Sequence, residues 1–187
     1  IMVTDFHHFK GQGLSRSEKV QRKIIELIQK MDGKTSESSV VWELKHSSGC
    51  IQIGRILALK RNLNVELAEI ICALHDIYAI VKGTYKDHAK LGAVLAKKLL
   101  TKTKEYNEKE IEIIVDAIAK HSQKEIDSDD FYAELIKDVD AYDCSLYQGS
   151  ENYYKLHKTN VQYGSYVKRI KKVQNELGLK TNQVFRK

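Results

Sequence analysis

The apolar residues of this chain recur every three or four positions over most of its length, the spacing of one face of an α-helix rather than the alternation of a strand. Val20, Ile24, Leu27, Ile28 and Met31 trace the first such face. Ser15 and Glu18 have capping-box spacing ahead of it and Asp32-Gly33 closes it, so a helix is predicted over residues 15–31. After the turn GKTSESS, residues 40–60 return to a helical pattern carrying Trp42, His46, Ile53 and Leu57. A break at 62–64 leaves Asn64 as N-cap for a helix over 65–81. Ala89, Ala93, Ala96 and Leu100 predict a helix over 86–100, in which Gly92 lets a neighbouring backbone come close. Ile111, Ile114, Val115 and Ile118 form the buried stripe of the next, capped by Asn107 with Glu110 and ending at His121. The acidic stretch 127–130 caps a further helix whose faces are set by Leu135, Ile136, Val139 and Tyr142 or Asp143. Residues 150–187, which include Tyr153, Tyr154, Tyr163 and Tyr166, supply one or two closing helices.

With 187 residues, no proline and 10 glycines, the chain fits one domain of long uninterrupted helices. The reading is all-α: a single-domain multi-helix bundle over residues 1–187. The formal charge of +6 comes from 31 Lys and Arg against 25 Asp and Glu. It favours anionic substrates in a cleft, phosphate esters above all. No aromatic-and-basic recognition motif of a nucleic-acid module is present, so nucleic acid is disfavoured as a partner. No run reaches the ~18 apolar residues of a membrane span, and IMVTDFHHFK has no secretory apolar region. Cys50, Cys72 and Cys144 form no CxxC pair and sit among apolar neighbours, as reduced buried thiols do. A soluble, cytoplasmic protein is expected.

The stretch ICALHDI changes the picture, because an apolar run that should be buried ends in His75 beside Asp76. Burying an imidazole next to a carboxylate is costly unless something binds both, and a metal ion is the most economical partner. Further candidate ligands are His46, His88, His121 and Asp140, with Asp138 competing for the last place. Any one histidine on a partly apolar helix is more often a hydrogen-bonded core or surface residue than a ligand; the adjacent His7 and His8 are read as surface residues. A mixed imidazole and carboxylate set suits Fe, Mn, Zn, Co or Ni better than Ca or Mg. Two such ions, roughly 3.5–4 Å apart, could share Asp76 and a hydroxide that serves as nucleophile. Lys82, Lys86 and Lys120 are candidates to hold substrate phosphates as point charges, against the plain alternative of solvated helix ends. Cys50 lies four residues after His46, Cys72 four before Asp76 and Cys144 four after Asp140, so each shares a helical face with a candidate ligand. Small core residues under the site explain all three; the sharper expectation is that Cys50 or Cys144 ligates under zinc loading.

The order His46, His75-Asp76, Asp140, in the contexts LKHSSGCIQIGRILA, AEIICALHDI and ELIKDVDAYD, resembles the HD-domain metal-dependent phosphohydrolase superfamily over about residues 40–150. The resemblance implies an HD-type core with the 15–31 helix and the 150–180 helices packed on it. It also implies that His46, His75, Asp76 and Asp140 hold metal, Asp138 being out of register with the family motif. HAKLGAVLAKKLL from His88 and AIAKHS near His121 are similar to two further histidine segments in the binuclear subset. That subset includes HD hydrolases that cleave diadenosine tetraphosphate and, more loosely, the HD-GYP phosphodiesterases, whose GYP segment is missing here. The implied activity is hydrolysis of a phosphate ester or anhydride in a nucleotide or related small phosphorylated metabolite, with Asp76 and His75 catalytic and one or two divalent transition ions as cofactor. Two positions depart from the pattern: Val139 replaces the alanine before the last aspartate, and Ala79 replaces the lysine of HD-x-x-K, the nearest lysine being Lys82. The second departure suggests the alternative of a catalytically weak or inactive metal- and nucleotide-binding regulatory protein. Self-association is common in such proteins, and the Tyr-rich tail is either its face or a lid on the core.

Overall fold

Capping chemistry starts most helices of this chain. The computed structural model describes residues 6–180 and 182–187; residues 1–5, half of the stretch read for a secretory segment, lie outside them. Among the described residues there are nine α-helices and no strand. They are α1 Arg16–Ile28, α2 Val40–Lys60, α3 Val65–Leu74, α4 Ile77–Lys82, α5 His88–Thr103, α6 Glu108–Lys120, α7 Phe131–Ser145, α8 Ser150–His157 and α9 Asn160–Glu176. Ser15, Asn107 and Thr159 form full capping boxes with Glu18, Glu110 and Gln162. Ser39, Asn64 and Asp130 cap α2, α3 and α7 through their side chains. Each cap satisfies amide groups that the first helical turn leaves without partners.

The core is built around α3. Leu67 through Leu74 are buried without a gap, because α1, α2, α6 and α7 all pack against this helix. Apart from Glu69, whose carboxylate accepts from Ser17 and Arg55, the stretch is apolar on every side and belongs in an interior. Ile70, Ile71 and Leu74 are wholly removed from water, each contributing about 1.5–3 kcal/mol of apolar burial. The amphipathic α1 adds Val20, Ile24 and Ile28, and α6 adds Ile111, Ile114, Ala117 and Ile118, with Val115 half-buried at the edge of the stripe.

The helix predicted over residues 65–81 is two helices. α3 ends at Leu74 and α4 starts at Ile77, with the chain bent at Asp76 (φ −103°, ψ 16°), whose side chain caps nothing. No glycine or proline marks the bend, and both pieces bury the apolar residues a single helix would bury. The carbonyl of His75 lies 3.5 Å from where a Gly92 side chain would begin. The close approach expected at Gly92 is therefore an approach to the bend itself.

The tail supplies both closing helices. Tyr154 of α8 and Tyr166 of α9 are buried with ring centroids 4.4 Å apart, and Phe185 packs beside Tyr154. Tyr163 lies parallel to the Phe185 ring, while Tyr153 is exposed. Asp138 of α7, fully buried, ties α2 to α9 by accepting from Arg61 (2.7 Å), Arg169 (2.8 Å) and Lys172 (2.6 Å).

Candidate metal centre

Six side chains from four helices and the His75-Asp76 bend meet in one place. His46 comes from the middle of α2, His88 opens α5, His121 follows the last turn of α6, and Asp140 lies on α7. Asp76 stands between two groups. Its Oδ2 is 3.7 Å from His46 Nε2 and 3.3 Å from His75 Nε2; its Oδ1 is 3.4 Å from both His88 Nε2 and His121 Nε2. Across each group the imidazoles face each other, with 3.1 Å between the Nε2 atoms of His46 and His75 and 3.0 Å between those of His88 and His121. Asp140 Oδ1 joins the first group, 3.5 Å from His46 Nε2. Asp138, its competitor in the sequence, is held in the ion network with α2 and α9.

The other ring nitrogens fix which atoms are free. His46 Nδ1 donates to Asp143 Oδ2 at 2.7 Å, and His75, His88 and His121 donate from Nδ1 to the carbonyls of Cys72, Tyr85 and Ile118 at 2.7–2.8 Å. Carbonyl and carboxylate oxygens only accept, so Nδ1 carries the proton in every ring and the neutral ring presents a lone pair at Nε2. With all four rings neutral, four lone pairs point at one another and at a carboxylate. Asp76 Oδ1 is buried without a hydrogen-bond donor. Such a set is unfavourable unless a cation occupies it, and an outward Nδ1–H···O bond on each ring is how metal-ligating histidines are held. These residues therefore fit one or two divalent ions.

The charges agree. Burial resists charging His75, but the adjacent Asp76 carboxylate outweighs it and raises the imidazole to about 9. At His121 burial prevails over Asp76, with His75 and Lys124 adding to it, and the ring is pushed down to about 4. The Asp76 carboxyl is held well below the usual range, the His75 and His121 contacts overcoming its burial. Positive charge is welcome on one side of Asp76 and refused as imidazolium on the other.

Three residues absent from the expected site belong to its surroundings. Asp143, one turn after Asp140, orients His46; it has room because position 49 is glycine, where a β-carbon would lie 1.9 Å from Asp143 Oδ1. Lys124, buried in the α6–α7 connection, donates to Asp140 Oδ2 and to the His121 carbonyl, both at 2.5 Å. Glu43 is fully buried, accepts from Ser38 (2.5 Å) and Tyr85 (2.7 Å) at one oxygen, and leaves the other without a partner. Burial and the Asp76 charge push its carboxyl pKa up. Glycine at 49 and the Asp140/Asp143 spacing were visible in the sequence; nothing in it distinguished Lys124 from thirty other basic residues.

The expected phosphate-binding lysines lie differently. Lys82 lines a cavity of about 340 Å³ with Leu27, Met31 and Asp32, none of them a centre residue. Lys120 pairs with Asp130 at 3.3 Å, and Lys86 is exposed two residues before His88. The three thiols are free and buried. Cys72 packs against Gly54, Cys50 lies 3.7–3.8 Å from the ring nitrogens of His46, and Cys144 contacts Asp140 Oδ1 at 3.5 Å. His8 is bonded to Glu18 at 2.8 Å, away from the centre.

A helical bundle that gathers four imidazoles and two carboxylates about a His-Asp bend defines a class of metal-site domain. The family model of the HD domain matches residues 44–144, more than half of the chain, and the chain belongs to that family. A solved structure described as a predicted HD superfamily hydrolase, from an uncultured Thermotogales bacterium, superposes with a TM-score of 0.57 at 18% identity, covering 86% of this chain and 88% of that one. At that identity the likeness is one of fold. No curated protein matches the chain. Among the described residues no helix is long and apolar enough to cross a membrane.

Proposed function

We propose that this chain is a metal-dependent phosphohydrolase cleaving a phosphate ester or anhydride in a nucleotide or related small phosphorylated metabolite. His46, His75, Asp76, His88, His121 and Asp140 hold one or two divalent transition ions, drawn from Fe, Mn, Zn, Co and Ni. The observation that supports this most is the pairing of committed Nδ1–H groups with four converging Nε2 lone pairs around an Asp76 whose Oδ1 has no donor. Bound ions supply an acidified water and neutralise phosphate oxygens. The remaining work is the protein's. Asp76 offers one oxygen to each group, Asp143 and three carbonyls stop the rings from turning, and Lys124 holds one Asp140 oxygen so that the other faces inward. His88 and Asp140, with 17% and 14% of their side chains exposed, are the most open members, so substrate approaches on their side. Lys86, beside His88, is the best placed of the three lysines to meet an outer phosphate. Lys82 and Lys120 stand with it as candidates, and an unchanged KM in the alanine variant removes any of them.

The test is turnover of a nucleotide panel, dinucleoside polyphosphates included, by protein reconstituted with each metal in turn. Asp76→Asn is expected to lower turnover at least about 10³-fold; activity that survives it belongs to a contaminant and ends this reading. A second reading, a regulatory protein that binds metal and nucleotide but hydrolyses weakly, is favoured by position 79. Ala79 is buried, and Lys124 has its ammonium committed to Asp140 and the His121 carbonyl. Tight nucleotide binding without turnover under every metal would select it.

A further inference from the structure

Cys144 lies one helical turn after Asp140, and its thiol donates to Asp140 Oδ1 at 3.5 Å. Asp140 Oδ2 is held by Lys124, which leaves Oδ1 as the oxygen available to a cation. That oxygen is also 3.5 Å from His46 Nε2. The donor atoms of His46, Asp140 and Cys144 all lie within 4.8 Å of one another. A tetrahedral ion with bonds of about 2.0–2.3 Å separates its donors by roughly 3.3–3.8 Å. Both 3.5 Å separations fall in that range, as does the 3.7 Å from His46 Nε2 to Asp76 Oδ2, a fourth donor on the same side.

We propose that Cys144 is a latent ligand of the centre, whose thiolate joins His46 and Asp140 in capturing a thiophilic divalent ion of the zinc or cadmium class. Oxygen-preferring ions such as Mn²⁺ leave the thiol protonated. Capture exchanges the S–H bond for a sulfur–metal bond and sends the proton to solvent, with no change of oxidation state. Cys50 belongs to another donor triad with His46 and His75. Its sulfur is almost equally far from both ring nitrogens of His46, 3.7 and 3.8 Å, so it faces the ring between them and not the Nε2 lone pair. A sulfur ligand closes a position that water needs, and closed sites of this kind are structural rather than hydrolytic. Among the five candidate ions zinc is thereby the one expected to support the slowest turnover, its sulfur ligand acting as a brake on the centre.

This inference rests on the cation-holding part of the proposed function and not on turnover. The experiment titrates the metal-free chain of residues 1–187 with Co²⁺ and Cd²⁺ and follows sulfur-to-metal charge transfer in the near ultraviolet. A saturating band is expected in the wild type and in Cys50→Ala, and none in Cys144→Ala or Cys144→Ser. Cd²⁺ affinity is expected to fall at least about tenfold in the Cys144 variants while Mn²⁺ affinity stays within about twofold. A wild type without the band, or an undiminished band in Cys144→Ala, overturns the proposal. Should both Cys144 variants fail to fold, cadmium NMR of the wild type decides: a sulfur-ligated resonance supports the proposal and an all-nitrogen-and-oxygen one ends it. A chain that shows the band yet hydrolyses nothing sinks only the hydrolase reading, and one that hydrolyses without the band sinks only this one.

Discussion

His46 is fixed from three directions. Trp42 stacks on its ring with centroids 5.1 Å apart, Asp143 takes the Nδ1 proton at 2.7 Å, and Gly49 leaves the space in which Asp143 sits. The glycine is consequently part of the centre although it offers no donor. Gly49→Ala forces Asp143 aside, because the contact is with its carboxylate and too close to be absorbed by a small shift. Losing such an outer partner typically costs 10–100-fold in metal affinity. The expected result is a loss of about that size in both Gly49→Ala and Asp143→Asn, measured by competition with a chromogenic chelator. If Gly49→Ala binds metal as the wild type does, the outer carboxylate has no role in holding the ion. The six candidate ligands could be named from the sequence because a buried His-Asp pair after an apolar run is costly without a cation, and the family resemblance matched the order of the other four to it. Asp143 and Lys124 could not, since acidic and basic side chains are common and only the folded chain shows which of them touch a ligand.

Among the elements, α3 and the bend after it carry the site. Helix starts were legible in the sequence because a cap is a local event: Ser15, Asn64 and Asn107 act on amides within three residues. The break at 75–76 was not legible, because its cause is distant. Residues on α2, α5, α6 and α7 surround His75 and Asp76, and the bend aims both at them, whereas the apolar pattern continues unbroken through it. Leu74, fully buried immediately before the bend, couples packing to site geometry. Leu74→Ala is expected to cost about 2–5 kcal/mol in urea unfolding. It should also weaken metal binding, since the cavity lets the end of α3 shift. Ile24→Ala, on the peripheral α1, should cost comparable stability and leave metal affinity unchanged. Equal effects of the two on metal binding would show that the bend is not positioned by α3.

At the scale of the whole molecule, two networks tie distant parts of the chain, and they answer to different tests. Around Arg169 of α9, Glu134 lies 2.8 Å and Asp138 2.8 Å from the guanidinium. Burial works against the Glu134 carboxylate, but Arg169 and Lys137 hold its pKa below the ordinary value. A depressed carboxylate stabilises the fold above its unfolded pKa, and that contribution is lost as pH falls through the folded value. Glu134→Gln should therefore unfold more readily than the wild type near neutrality, with the difference shrinking as the pH is taken below about 4.3. A difference that grows in acid would contradict the pair. The candidate metal centre draws its side chains from α2, α5, α6, α7 and the α3–α4 bend, so an ion bound there would link nearly every helix that packs on α3. An ion that binds the folded chain alone, at a free concentration 100 times its Kd, stabilises by about 2.7 kcal/mol. At roughly 2–4 °C per kcal/mol for a chain of this size, the unfolding midpoint should rise by about 5–11 °C on metal addition and return on chelation. Asp76→Asn removes a charge from both halves of the centre and should abolish most of that rise, while Lys86→Ala should keep it. Equal metal-induced shifts in the wild type and Asp76→Asn would mean that the ion binds elsewhere, and would leave the convergence of six side chains without the occupant its lone pairs require.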